Sequence, residues 1–151
     1  MKNLLFALLV LTFFISCSKE KSSTVDYTAK NEKEITDYLA ENNLTATKTE
    51  SGLYYIIKNQ GTGAQPTATS NVIVAYKGYF TDGSIFDQND AGFKCVLNQV
   101  IPGWTEGITY FKTGGEGVLL IPSKLGYGPY NSGPIPGGSV LIFDIKLNAV
   151  N

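Results

Sequence analysis

From residue 53 onward, apolar positions recur mostly with a period of two, the spacing of a strand with one buried face. Leu53-Tyr54-Tyr55-Ile56-Ile57-Lys58 is rich in aromatic and β-branched residues and predicts the first strand. Residues 72–80 predict the second, with Val72, Val74 and Tyr76 on one face and Ile73, Ala75 and Lys77 on the other. Thr81-Asp82-Gly83-Ser84 then closes a hairpin, because Asp-Gly supplies the positive φ of a tight turn, and Ile85-Phe86-Asp87 follows at once. Further strands are expected over about 93–97, 117–121 and 140–147. In the last, Leu141, Phe143, Ile145 and Leu147 share a face.

The period lengthens at Val100-Ile101-Pro102-Gly103-Trp104-Thr105-Glu106-Gly107. Proline is tolerated in the first turn of a helix and poorly further in, so a helix is expected to start here. Carried on to about Phe111, it places Trp104, Ile108 and Phe111 at i, i+4 and i+7 on one face. So short a helix does not stand alone in water. Its apolar face must lie on the strands, with the chain's one tryptophan as the floor of an apolar cleft. The fold class that follows is α+β: an antiparallel sheet of about five strands wrapped around one short helix. A second helical pattern covers about 31–43, with Ile35, Tyr38 and Leu39 on one face among Glu32, Lys33, Glu34 and Asp37. Its apolar positions are too few for a coiled coil, so it either packs on the domain or spaces it.

Residues 1–16 join a basic start to an apolar run of about a dozen residues, the length of a signal peptide and too short to span a bilayer. Ser16-Cys17 resembles the processing site of bacterial lipoproteins, at which Cys17 becomes an acylated N-terminus, although Phe14 stands where leucine is usual. Ordinary cleavage leaving Cys17 free or disulfide-bonded is the alternative. Acylation would leave Cys95 as the one remaining cysteine, without an intramolecular disulfide partner, and Cys95 reads as a small buried hydrophobe. The expected organisation is a signal peptide over 1–16, a lipidated polar tether and short helix over 17–47, and a single domain over 48–151.

Composition removes several classes of function. The chain has no histidine, and its 12 basic side chains are all lysine, against 13 acidic ones. That balance gives no basic surface for nucleic acid. Without histidine there is no Ser-His-Asp or Cys-His nucleophile and no imidazole for a metal. Gly61-Thr62-Gly63 lacks the strand-loop-helix setting of a phosphate cradle and reads as a turn, and Asn43-Leu44-Thr45 reads as a chance glycosylation sequon.

Five motifs in register then carry a resemblance. Val74-Ala75-Tyr76-Lys77-Gly78, Asp82-Gly83-x-x-Phe86-Asp87, Val100-Ile101-Pro102-Gly103-Trp104-x-Glu106-Gly107, Gly126-Tyr127-Gly128, and Ile135-Pro136 ahead of Leu141-Ile142-Phe143-Asp144 together resemble the FKBP-type peptidyl-prolyl cis-trans isomerases over about 50–150. Ser51-Gly52-Leu53 and the helix before it are similar to exported bacterial members. The resemblance implies a catalytic set of Tyr76, Phe86, Asp87, Trp104, Tyr127 and Phe143, with Phe93, Val100, Ile101 and Ile135 binding substrate. Strand alternation and helical spacing independently send Tyr76, Trp104 and Phe143 inward. Each aromatic taken alone is more readily explained as core, but these surround a Gly- and Pro-rich loop over 123–138 that a packed core does not need.

The implied reaction is rotation about an X–Pro amide, which breaks no bond and needs no cofactor, metal, nucleophile or base. The implied partners are X–Pro segments of exported polypeptides, macrolide immunosuppressants and, through the lipid anchor, a membrane of the cell envelope. The chain departs from the family's pattern in having no arginine to partner Asp87, for which Lys94 is the substitute on offer. It also has a short connection between Asp87 and Phe93, and Gly137-Gly138 where a second proline is common. These departures keep a second reading open, a lipoprotein that binds a proline-bearing segment of an envelope assembly without turnover.

Overall fold

The structure, a computed structural model, describes residues 25–151; the expected signal segment and Cys17 lie outside the described residues. A helix α1 (Thr28–Glu41) is followed by strands β1 (Thr47–Lys48), β2 (Tyr54–Asn59), β3 (Asn71–Tyr79) and β4 (Ile85–Val96), a one-and-a-half-turn helix α2 (Pro102–Gly107), then β5 (Glu116–Ile121) and β6 (Leu141–Val150). The strands form one sheet in the order β1-β2-β5-β6-β3-β4, with every neighbour antiparallel. The sheet thus has six strands where about five were expected. The additional one is the two-residue β1, too short to leave a periodic signal, held against β2 through Thr47 opposite Tyr55 and Lys48 opposite Tyr54.

A second correction concerns residues 85–97. The two short pieces expected on either side of a loop are one twelve-residue strand, β4, at the edge of the sheet. Its pairing with β3 shifts register between Val74 and Tyr76, where residues 90–92 make a bulge. Gly92 sits there at φ +106°, and its N–H donates to Asn89 Oδ1 at 2.9 Å. Bulged and largely exposed, the strand loses the two-residue alternation that reveals the others.

The inner, concave face of the sheet holds the main core. Trp104, Ile108 and Phe111 are buried there as one face, with Val72, Val74, Leu119, Ile121, Leu141, Phe143, Ile145 and Leu147 from the strands. Helix α2 can approach β5 closely because it carries glycines one turn apart. A Cβ on Gly103 would lie 2.5 Å from the Ile121 side chain, and one on Gly107 would lie 2.7 Å from Leu119.

The outer face is covered by α1, so this helix packs on the sheet rather than spacing it. Ile35 and Leu39 bury against Tyr54, Val118, Leu120, Val140 and Ile142. With both faces covered, β5 is apolar at consecutive positions from Val118 to Ile121, the pattern of a strand buried on two sides. Asn43 ends α1: at φ +52° it lets the Leu44 N–H reach the Leu39 carbonyl at 2.8 Å and its own N–H reach Ala40 at 3.2 Å. That is a Schellman turn, one of the few places where asparagine accepts the left-handed conformation.

Candidate functional site

The site is built upward from Trp104. Ile101 is extended, Pro102 begins α2, and the two glycines seat the helix so that the indole points into the concave face, where it is 4% exposed. Three rings stand edge-on around it. The Tyr76 centroid lies 5.1 Å away with the planes at 83°, Phe143 at 5.3 Å and 80°, and Phe93 at 6.5 Å and 71°. Phe86 meets Phe143 edge-to-face at 5.5 Å. These are the preferred aromatic geometries and need no further restraint. The indole N–H is buried without a hydrogen-bond partner among the described residues.

This aromatic box is the base of a cleft of about 860 Å³. The structure brings all ten residues expected at the site into its lining: Tyr76, Phe86, Asp87, Phe93, Val100, Ile101, Trp104, Tyr127, Ile135 and Phe143. They come from β3, β4, β6, the start of α2 and the 123–138 flap. Phe93 and Tyr127, at 41% and 47% exposed, form the mouth over the buried floor. The flap is ordered by its own backbone: Ser132 bridges Ile135, and the Gly138 N–H donates to the Gly128 carbonyl at 2.9 Å. At the foot of α2 the Ile101 carbonyl accepts from the Trp104 and Thr105 N–H groups, while the Ile101 N–H makes no backbone bond among the described residues.

Electrostatically the cleft is quiet. The Tyr76 hydroxyl donates to Asp87 Oδ2 at 2.6 Å, and burial first, then this bond, pushes the phenol well above its usual range. Asp87 forms no ion pair among the described residues; Lys94, the substitute cation, lies opposite Ile73 on β4 and does not reach it. No group of three potential metal ligands occurs among the described residues.

The profile of FKBP-type peptidyl-prolyl cis-trans isomerases matches residues 62–148, more than half of the chain. The chain belongs to this family. It is 45% identical over 126 residues, 80% of its length, to the FKBP-type peptidyl-prolyl cis-trans isomerase FkpA of Aeromonas hydrophila, of which it covers 47%. It is 40% identical over 104 residues, 66% of its length, to the outer membrane protein MIP of Legionella longbeachae, covering 45% of that protein. A crystal structure of a peptidyl-prolyl cis-trans isomerase from Pseudomonas syringae superposes with a TM-score of 0.71 at 32% identity, over 85% of this chain and 98% of that one. The chain thus spans about half the length of the curated relatives cited and nearly all of the Pseudomonas domain.

Within this FKBP-type domain, some of the lining escaped sequence reasoning. Gln99, Ser132, Gly133 and Pro134 also face the cleft. They lie in a short 3-10 turn and in the flap, where no periodicity points a side chain inward; the composition of the flap was the one available signal. Gly78 is a further omission. A Cβ there would come within 2.6 Å of the Phe86 ring and 2.8 Å of Phe143, so the bare backbone makes the space in which these two rings meet.

Proposed function

We propose that this protein is a peptidyl-prolyl cis-trans isomerase that assists the folding of exported polypeptides. The observation that carries the reading is an apolar, aromatic-floored cleft whose one carboxylate, Asp87, is engaged by the Tyr76 hydroxyl. Rotation about an X–Pro bond faces a barrier of roughly 18–20 kcal/mol, set by the resonance of the planar amide. The planar form has a large dipole that water solvates well; the twisted form has lost much of it. Moving the amide from water onto Trp104, between Phe86, Val100, Ile101 and Phe143, therefore disfavours the planar ground state more than the twisted transition state. Each ~1.4 kcal/mol of that difference is about tenfold in rate.

The proline ring would lie on the indole, with Phe93 and Ile135 enclosing the flanking residues. The Ile101 N–H and the Tyr127 hydroxyl would donate to carbonyls of the bound chain. Asp87 acts through Tyr76, fixing the ring that forms one wall. Full-length chain should accelerate isomerisation of a short X–Pro peptide, and Tyr127→Ala and Phe86→Ala should each lower kcat/KM by tenfold or more. Equal rates with and without folded wild-type protein would remove the enzymatic reading. The same cleft is the expected site for a macrolide immunosuppressant, which should then inhibit competitively.

That Asp87 has no ion pair among the described residues favours one other reading, a non-catalytic module that holds a proline-bearing segment of an envelope assembly. It predicts peptide binding by fluorescence of Trp104 without acceleration. The cellular setting we propose is the cell envelope, with the chain anchored through acylated Cys17; the signal-like segment and a relative named as an outer membrane protein support it. Radiolabelled palmitate should appear on wild type and vanish with Cys17→Ala.

A further inference from the structure

We infer that Asn31, on the helix behind the sheet, is a positioning residue for the substrate-facing flap; the kinetic part of this inference rests on the isomerase reading. Asn31 is 1% exposed. Its Nδ2 donates to the Gly138 carbonyl at 2.9 Å, and its Oδ1 accepts from the Ser123 N–H at 2.9 Å and from Ser123 Oγ at 2.7 Å. Ser123 and Gly138 are the two ends of the flap, 92 and 107 residues away along the chain. The flap closes the circuit itself, Gly128 N–H to Ser123 carbonyl at 2.8 Å and Gly138 N–H to Gly128 carbonyl at 2.9 Å. One buried amide therefore ties the neck of a loop that carries Tyr127, bonded through its neighbour Gly128, and Ile135 at the mouth of the cleft. The Tyr27 ring braces the same point: a Cβ on Gly138 would lie 2.2 Å from it.

Helix docking alone does not call for this amide. Ile35 and Leu39 already bury α1, Tyr54 OH donates to Glu32 at 2.7 Å, and Thr81 Oγ1 donates to Glu34 at 2.8 Å. A buried polar side chain is costly unless its bonds are made, and all the bonds of Asn31 go to the flap or run along its own helix. It also lies outside the 62–148 match, so the flap is held by a part of the chain that the family profile does not include.

The test is Asn31→Asp in the full chain. Protonated, the carboxyl presents the same donor and acceptors as the amide; ionised, it sets a bare oxygen against the Gly138 carbonyl. Burial holds the proton on at mildly acid pH. Lys124, Asp26, Tyr27 and Glu32 are the charged and titratable groups around this corner. Near pH 5.5 the variant should match wild type within about twofold in kcat/KM. By pH 8 it should fall about fivefold, the worth of one hydrogen bond, with the loss in KM. Over the same range the Gly128 and Gly138 amides should exchange faster with solvent while those of β5 and β6 do not change. A pH-independent ratio to wild type, or faster exchange confined to α1, overturns the inference. If Asn31→Asp does not fold, Ser123→Ala removes a single donor and should still speed flap exchange; an unchanged flap then overturns it. If folded wild type shows no isomerase activity, the functional reading fails and hydrogen exchange alone decides the role of Asn31.

Discussion

Side chains in the cleft divide by what their polar atoms face. Trp104 and Phe143 offer ring surface, Tyr127 stands half-exposed with its hydroxyl unbonded among the described residues, and Tyr76 spends its hydroxyl on Asp87. Tyr76→Phe leaves the wall in place and frees Asp87. It should cost about 0.5–1.5 kcal/mol in urea unfolding, since Asp87 is open to water, and lower kcat/KM only a few-fold. A larger kinetic loss would mean that the hydroxyl itself meets substrate. Gly78→Ala is the harsher change although it adds one methyl. The Cβ must displace Phe86 and Phe143, both walls at once, so about 1–3 kcal/mol of stability and most of the activity should go together. Sequence periodicity could not supply Gly78, because a residue without a side chain shows no face.

Helices and strands were legible in proportion to how regularly they bury one side. The α2 face was readable because Pro102 marks its start and Trp104, Ile108 and Phe111 keep helical spacing; β6 was readable because four apolar residues alternate. Strand β4 was not, since a bulged edge strand buries few side chains in sequence. Of the ten expected cleft residues, alternation and spacing alone sent three inward, and the family resemblance supplied the others. Helix α1 was visible as a helix while its task was not, because its bonds to Ser123 and Gly138 span about a hundred residues and leave no local trace. Its packing gives a prediction at this scale. Ile35 is fully buried against β5 and β6, so Ile35→Ala should cost about 2–5 kcal/mol in denaturant unfolding. With Asn31 intact, KM should move less than with Asn31→Asp; a larger KM shift from Ile35→Ala would place the link between helix and flap in bulk packing.

Over the whole molecule, the absence of histidine sets the response to pH. Among the described residues, the perturbed groups move away from the middle of the scale. Bonds to Lys48 and Tyr54 hold Glu32 below its usual range, Lys146 does the same for Glu116, Ser84 for Asp82 and Thr28 for Asp26. Burial pushes Tyr76, Tyr79, Tyr54 and Tyr110 up, and the Cys95 thiol with them. A group whose pKa is raised on folding stabilises the fold fully below its unfolded value and ceases to as pH rises through the folded one. For the tyrosines that loss begins above about pH 10. The depressed carboxylates act in the opposite sense: their contribution is present above about pH 4.5 and fades on acidification, and because all four are partly or fully open to solvent it is small. Unfolding free energy should therefore be level from about pH 6 to 9 and fall steeply beyond 10. Tyr76→Phe should soften that alkaline fall, because one of the four partly or fully buried phenols no longer has to ionise. A rotation that moves no proton should leave kcat/KM level over the same interval. A bell-shaped rate profile centred near neutrality would contradict the proposed mechanism, which has no proton-transfer step.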